Sequence, residues 1–149
     1  MKDQSNAIEV RQVAPNDIAA VERASALFNS APTAEAARRF LADGKNVLLF
    51  AYLDGEPVGF ARAVLLDRLD TTRRQLFLYE IGVAADYRRR GAGRALILSL
   101  LRICREQDLL EMFVLADADD TRAQAFYRST GGESSDSVLF AYKTINEST

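Results

Sequence analysis

Apolar runs separated by polar turns predict a sheet along most of the chain. The nearly continuous apolar run at 47–53 suits a strand in the middle of a sheet. Asp54-Gly55 follows it and indicates a hairpin, because both positions of such a turn need a positive φ. The predicted strands cover residues 8–13, 47–53, 58–66, 76–83, 112–116 and 138–143.

Apolar residues at helical spacing predict four helices between these strands. Pro15-Asn16-Asp17 starts the first, with Phe28 on its apolar face, and Thr33 can cap the second. The third covers about 93–107, and the fourth covers about 121–130 before Gly131-Gly132 ends it.

The order of these elements is strand, two helices, three strands, helix, strand, helix, strand. Consecutive central strands can pair antiparallel, whereas the strand–helix–strand crossover after Val83 makes the next pair parallel. The sequence therefore predicts a mixed α/β fold. No linker or repeat interrupts it, so residues 1–149 are expected to form a single domain.

Composition narrows the function without identifying it. Apolar residues make up 48%, which excludes a disordered chain. We expect a cytoplasmic protein, because the one cysteine rules out an intrachain disulfide and neither a membrane helix nor a signal peptide is recognisable. The net charge of −2 argues against general nucleic-acid binding. With no histidine, a zinc site built on His is impossible and a general base must be a carboxylate, a tyrosine, the cysteine or water.

A basic, glycine-punctuated turn between the strand at 76–83 and the helix at 93–107 is the strongest chemical signal. Backbone N–H groups at a helix N-terminus bind phosphate, and glycines let an anion approach the backbone. The alternative is a solvated basic turn that only caps the helix. The residues predicted to bind a phosphorylated ligand here are Arg88, Arg89, Arg90, Gly91, Ala92, Gly93, Arg94 and Ala95.

The turn resembles the signature of the GNAT acetyltransferase superfamily, with Arg88, Gly91 and Gly93 filling it. Tyr127, in Ala-Phe-Tyr-Arg on the fourth predicted helix, matches a second family mark. The resemblance covers nearly the whole chain. It implies a mostly antiparallel mixed sheet with helices on both faces, acetyl-CoA as cofactor without a metal, and acetyl transfer to an amine.

Within the superfamily, the chain is similar to the aminoglycoside 3-N-acetyltransferases of GNAT fold. The strand Tyr-Glu-Ile-Gly-Val at 79–83 and the acidic stretch at 116–120 carry this likeness, with Glu80 in place of an aspartate. Gly132 departs from the family, which has a bulky apolar residue there. The resemblance implies transfer to the 3-amino group of an aminoglycoside, hence antibiotic resistance, and a homodimer.

The resemblance also assigns roles to individual residues. Glu80 would take the proton of the amine, for which it needs partial burial or an acidic neighbour near neutral pH. The Val83 N–H would stabilise the oxyanion. Tyr127 would protonate the departing thiolate of CoA or hold its sulfur by a hydrogen bond. Ile81, Gly82, Val83 and Tyr127 would also contact the cofactor. The alternative interpretation, which does not use the resemblance, is that Glu80 is an edge carboxylate that faces solvent and that Tyr127 packs its ring in the core.

Asp117, Asp119 and Asp120 are expected to attract a polycationic amine, because clustered carboxylates favour ammonium groups. The competing interpretation is that Asp119, Asp120 or Thr121 caps the next helix, and we expect one of these three to do so while the others face the substrate. Two other functions stay open: a GNAT enzyme acting on a polyamine, metabolite amine or protein N-terminus, and a non-catalytic acyl-CoA-binding module.

Overall fold

The computed structural model of the protein describes residues 7–145, which divide into two compact units at Asp117 and Ala118. The first unit contains the sheet and three helices, and the second contains one helix. The elements of the first unit are β1 (Ile8–Gln12), α1 (Ile18–Arg23), α2 (Ala34–Ala42), β2 (Asn46–Leu53), β3 (Glu56–Leu66), β4 (Gln75–Val83), α3 (Ala92–Glu106) and β5 (Met112–Val114). The helix of the second unit is α4 (Thr121–Ser129).

The sheet has five strands in the order β1-β2-β3-β4-β5. The first four strands pair antiparallel, and β4 pairs parallel with β5. Asp54 and Gly55 have φ of 52° and 80°, so the hairpin between β2 and β3 forms as predicted. The mixed, mostly antiparallel sheet is confirmed. The single-domain organisation stays a prediction.

Helices cover both faces of the sheet. Leu48, Phe50 and Tyr52, at alternate positions of β2, pack in one cluster with residues of α1 and α2. The intervening residues of β2 are also buried, and α3 packs on β1, β2, β3 and β4 with Leu96 and Leu100 fully buried. A strand that is buried on both faces explains why residues 47–53 read as one continuous apolar run.

Two predicted features of the first helices have different outcomes. Thr33 Oγ1 accepts a hydrogen bond from Ala36 N at 3.1 Å, so Thr33 caps α2 as predicted. The first helix is shorter than predicted, because the chain tightens into a 3₁₀ turn at Ser25–Leu27. Phe28 therefore lies beyond the helix, where its ring centroid comes within 4.4 Å of that of Phe60.

The geometry at the end of α4 explains why Gly132 departs from the family pattern, which has a bulky apolar residue at this position. Gly131 has φ of 102°, and the N–H groups of Gly131 and Gly132 donate to the carbonyls of Arg128 and Tyr127. This pattern is a Schellman motif, which confirms the predicted glycine stop. A Cβ on Gly132 would lie 3.0 Å from Tyr127 O, so the tight turn leaves little room for the bulky residue found elsewhere in the superfamily.

Two predicted strands differ from the structure. Strand β5 ends at Val114 and not at 116. The strand predicted at 138–143 is wrong, since this segment belongs to no strand and its apolar side chains are exposed. The residues have the composition of a strand, but a strand also requires a neighbour for its backbone N–H and C=O groups.

Gly82 lets β3 and β4 pack closely, and its substitution tests this packing. We expect Gly82→Ala to destabilise the protein by about 1–3 kcal/mol, because an added Cβ would lie 2.9 Å from the buried ring of Phe60. Gly44→Ala is the matched control, since nothing lies within 4 Å of a Cβ at that position. Urea unfolding of the three proteins measures the difference, and equal stability of both variants would contradict the prediction.

Candidate active site

Strand β4 leaves its parallel neighbour halfway along its length. The pairing of β4 with β5 ends at Leu78 and Val114, whereas β4 stays paired with β3 as far as Val83. A β-bulge marks this point, because Arg62 pairs with Glu80 and Ala63 with Leu78, which leaves Tyr79 without a partner on β3. The second half of β4 therefore has one edge that β5 does not cover.

The backbone direction of β4 fixes which groups face that edge. Ala84 N donates to Val58 O at 2.8 Å, so the N–H of Ala84 points toward β3. Because N–H and C=O directions alternate along an antiparallel pair, the N–H groups of Ile81 and Val83 point away from β3. The contact from Arg88 Nε to Val83 O at 3.4 Å agrees with this direction. Two backbone donors thus face the uncovered edge.

The turn after β4 brings further backbone N–H groups to the start of α3. Arg89 and Gly91 have φ of 64° and 88°, and Gly91 is the N-cap residue without a side-chain capping bond. The first α-helical bond runs from Ala95 N to Gly91 O at 2.9 Å, so the amides of Ala92 and Gly93 precede the first bonded turn of the helix. The exposed side chains of Arg88, Arg89 and Arg90 surround this turn with positive charge. The arrangement suits an anion.

Arg62 is a site residue that the sequence did not reveal. Its Nε donates to Glu80 Oε1 at 3.1 Å, and its guanidinium carbon lies 4.1 Å from the ring centroid of Tyr79. The bulge explains the double contact, because Tyr79 and Glu80 together oppose this one residue of β3. Glu80 is partly buried, as expected for a base, but its nearest charged partner is a cation and not an acidic group.

The other predicted site residues lie at the end of the first unit and in the second. Asp117 follows β5 and is exposed. Asp120 Oδ1 accepts a hydrogen bond from Ala123 N at 3.0 Å, so Asp120 is the residue that caps α4. Asp119 is exposed beside it. Tyr127 lies on α4, where its ring centroid is 5.4 Å from that of Phe126.

The phenol of Tyr127 is held in its neutral form. Burial raises the pKa of Tyr127 above its ordinary value of 10, and the negative charge of Asp120 raises it further. A neutral phenol can donate a proton. Burial likewise raises the pKa of the Cys104 thiol, so this half-buried cysteine is a poor nucleophile.

The predicted residues therefore fall into two groups. Within the first unit, the structure brings together β4 and the start of α3, which carry Glu80, Val83 and the glycine–arginine turn. Asp119, Asp120 and Tyr127 belong to the second unit, and their participation in the same site stays a prediction. No cluster of three or more His, Cys, Asp or Glu side chains suited to a metal occurs among residues 7–145.

A family comparison agrees with this arrangement. The model of the acetyltransferase (GNAT) family matches residues 17–131. The chain belongs to this family. The match includes β4, the glycine–arginine turn and α4, and thereby confirms the resemblance drawn from Arg88, Gly91 and Gly93. No curated protein sequence matches the chain.

Solved structures of several acetyltransferases share the fold. An aminoglycoside acetyltransferase, meta-AAC0020, from an uncultured soil metagenomic sample superposes with a TM-score of 0.86 at 25% identity, over 97% of this chain and all of that one. A second such enzyme, HMB0005, also from a soil metagenomic sample, gives 0.82 at 27% identity, over 94% and 99%. Aminoglycoside N-acetyltransferase AAC(6')-Iy in complex with CoA gives 0.75 at 22% identity, over 93% and 96%.

These neighbours leave the regiochemistry open. One of them is named for the 6' position and none of the three for the 3-amino group, which the sequence resemblance implied.

Among the described residues, no helix is both long and apolar enough to span a bilayer.

The environment of Tyr127 leads to a prediction for its titration. We expect its phenol to ionise at a higher pH than an ordinary tyrosine, since burial and the Asp120 carboxylate both disfavour the phenolate. The measurement is the ultraviolet phenolate absorbance of the protein, from which the titration of Tyr127→Phe is subtracted. Tyr142→Phe, at an exposed position, is the control variant. A Tyr127 pKa, measured from this difference titration, that lies at or below the ordinary tyrosine value would refute the prediction.

Proposed function

We propose that the protein is an acetyl-CoA-dependent N-acetyltransferase that acts on an amine of an aminoglycoside, at the 3-amino group. The observation that carries the proposal is the uncovered edge of β4, which leads directly into the uncapped, arginine-lined start of α3. Membership of the GNAT family and the likeness to two soil aminoglycoside acetyltransferases support the same activity.

The residues of the first unit fit acetyl-CoA. A diphosphate would accept hydrogen bonds from the first amides of α3, and no atom lies within 4 Å of the position that a Cβ on Gly91 would take. The backbone amides and carbonyls along Ile81–Val83 supply hydrogen-bonding groups for an extended, amide-containing chain, in the manner of an added strand. Bound acetyl-CoA supplies an acetyl group activated as a thioester.

The Val83 N–H is the donor that we assign to the carbonyl oxygen of the acetyl group. The N–H lies on the uncovered side of β4, and the strand is held rigidly by its pairing with β3. A fixed donor stabilises the negative charge that develops on oxygen during attack, which contributes on the order of 100-fold or more in rate. Arg88 Nε contacts the carbonyl of the same residue, which belongs to the following peptide group, and thereby helps to hold Val83.

We assign Glu80 as the base that accepts a proton from the amine. Arg62 donates to Oε1, and we assign Oε2 to receive the proton, directly or through a water molecule. The amine must lose this proton before it can attack, because an ammonium group has no lone pair. The ion pair with Arg62 orients the carboxylate, since both residues sit on directly paired strands.

Tyr127 completes the proposed reaction as the proton donor to the departing thiolate. Its raised pKa keeps the phenol protonated at neutral pH. The acetyl group passes directly to the amine, because the neutral, half-buried Cys104 is unsuited to form an acyl-enzyme. The exposed carboxylates of Asp117 and Asp119 would favour an acceptor with several ammonium groups.

Turnover with a panel of amines tests the proposed activity. Release of CoA from acetyl-CoA is followed with gentamicin, kanamycin, spermidine and a peptide with a free N-terminus, and the acetylated position is read by NMR. We expect turnover with the aminoglycosides and acetylation at the 3-amino group. Turnover only with spermidine or the peptide would show that the acceptor is not an aminoglycoside. CoA binding without any turnover would indicate an acyl-CoA-binding module.

The phosphate-binding turn leads to a prediction for cofactor affinity. We expect Gly91→Ala to weaken acetyl-CoA binding by about 10-fold or more, because the strained residue displaces the first amides of α3. Gly55→Ala is the matched control, since Gly55 has φ of 80° against 88° for Gly91 and equal space for a Cβ. Isothermal titration calorimetry measures both affinities. Equal affinities would remove this turn from the cofactor site.

The assignment of Glu80 leads to a prediction for turnover. We expect Glu80→Gln to lower kcat by about 100-fold or more while acetyl-CoA affinity is unchanged, because the amide keeps the shape but cannot take the proton. Glu56→Gln, at an exposed position of β3, serves as the control. Steady-state kinetics with the best amine of the panel gives kcat, and an undiminished value would exclude Glu80 as the base.

A further inference from the structure

Arg62 holds Glu80 with only part of its hydrogen-bonding capacity. Its Nε donates to Glu80 Oε1 at 3.1 Å, whereas the other N–H donors of a guanidinium lie on its two terminal nitrogens. Within residues 7–145, neither terminal nitrogen of Arg62 has a protein acceptor. The side chain is 37% exposed, so these donors are accessible to a molecule that enters the site.

Other arginines of the chain pair with their carboxylates more completely. Arg11 donates to Glu9 through Nε at 3.0 Å and through Nη2 at 3.3 Å. Arg68 donates to Asp70 through the same two nitrogens, at 2.8 Å each. Such two-point pairs match the fork of the guanidinium to both oxygens of the carboxylate. The single bond at Arg62 leaves the outer edge of its guanidinium for another acceptor.

The ring of Tyr79 fixes the plane of the Arg62 guanidinium. The guanidinium carbon lies 4.1 Å from the ring centroid, and the ring packs edge-on against Phe77 with 5.6 Å between the centroids. A guanidinium stacked on an aromatic face is attracted by the ring and still donates hydrogen bonds at its edge. Tyr79 is 60% exposed, so the stacked pair lies at the molecular surface.

The free donors of Arg62 lie beside the proposed base. Arg62 and Glu80 are directly paired across β3 and β4, and Glu80 comes just after Leu78, where the pairing of β4 with β5 ends. Arg62 holds Oε1 of the carboxylate, and Oε2 is the oxygen assigned to the proton of the amine. An acceptor whose amine meets Oε2 therefore comes within reach of the guanidinium, because the two side chains share a hydrogen bond.

We propose that Arg62 is a specificity-determining residue, whose terminal N–H groups bind an oxygen on the carbon next to the amine that is acetylated. A guanidinium has donors but no acceptor, so it binds a hydroxyl or ether oxygen and repels a second ammonium group at the same place. The site thus selects an amine flanked by oxygen, as in an amino sugar or aminocyclitol. The inference rests on the proposed function, because it takes Glu80 as the group that meets the amine.

This selection differs from attraction by charge. Exposed carboxylates favour every polycation, including a polyamine that carries no oxygen. A fixed hydrogen-bond donor instead discriminates against the analogue that lacks the oxygen, because the donor then loses its partner. The two contributions are separable, since one depends on the charge of the ligand and the other on its oxygen atoms.

Two diamines of equal charge test the selection. 2-Deoxystreptamine carries two amines and three hydroxyls on a six-membered ring, and cis-1,3-diaminocyclohexane carries the same two amines without the hydroxyls. Isothermal titration calorimetry measures their dissociation constants for the full chain saturated with CoA. We expect the wild-type protein to bind 2-deoxystreptamine more tightly by about 10-fold or more, because a charged donor gains an oxygen acceptor.

Arg62→Lys shows whether the preference depends on this guanidinium. Lysine keeps the positive charge beside Glu80 but lacks the planar fork, so we expect the preference to fall to about 2-fold or less. Arg11→Lys is the matched control, because Arg11 also pairs with a glutamate and lies over a tyrosine, with its guanidinium carbon 4.5 Å from the ring centroid of Tyr52. We expect this control to keep the wild-type preference. Far-ultraviolet circular dichroism checks that both variants remain folded.

The outcomes separate this inference from the proposed function. Equal affinities for the two diamines in the wild-type protein, or an unchanged preference in Arg62→Lys, would overturn the role of Arg62 even if the amine panel shows turnover. Failure of both diamines to bind would overturn it as well. A preference that is lost in Arg62→Lys, in a protein that acetylates no amine of the panel, would support the oxygen-binding role and refute the proposed transfer.

Discussion

The break in pairing between β4 and β5 is the constraint on which the candidate site depends. Parallel strands normally exchange hydrogen bonds along their whole overlap, which would leave no backbone donors for a ligand. Here the pairing stops after Leu78, and Tyr79 forms a bulge against β3. The same bulge brings Tyr79 and Glu80 to the single residue Arg62. The end of this pairing thus leaves a strand edge that β5 does not cover, and the bulge beside it holds the Glu80 carboxylate against Arg62.

The fold could be predicted largely from local signals. The burial of β2 on both faces gave a continuous apolar run, and the hairpin at Asp54-Gly55 was readable because few residues tolerate two successive positive φ values. The caps at Thr33 and Asp120 also depend on neighbouring residues alone. These features need no knowledge of distant parts of the chain, and the structure agrees with them.

Features that depend on distant pairing were harder to predict. The contact of Arg62 with Glu80 depends on the register between β3 and β4 across the loop at 67–74, and a bulge changes that register by one residue. No local pattern announces such a bulge. The strand predicted at 138–143 failed for a related reason, because composition records what a segment can form but not whether a neighbouring strand is present. In the candidate site, the glycine–arginine turn was readable from local residues, whereas the participation of Tyr127 in the same site stays a prediction.

The cap at Asp120 has a consequence for how this protein can change over evolution. One carboxylate both holds the first turn of α4 and adds negative charge near the Tyr127 phenol. A neutral Ser or Asn at this position would preserve the helix start but release part of the electrostatic influence on the phenol. The start of α4 and the pKa of Tyr127 therefore depend on the same side chain. A substitution at position 120 could preserve the helix cap and still change the pKa of the phenol.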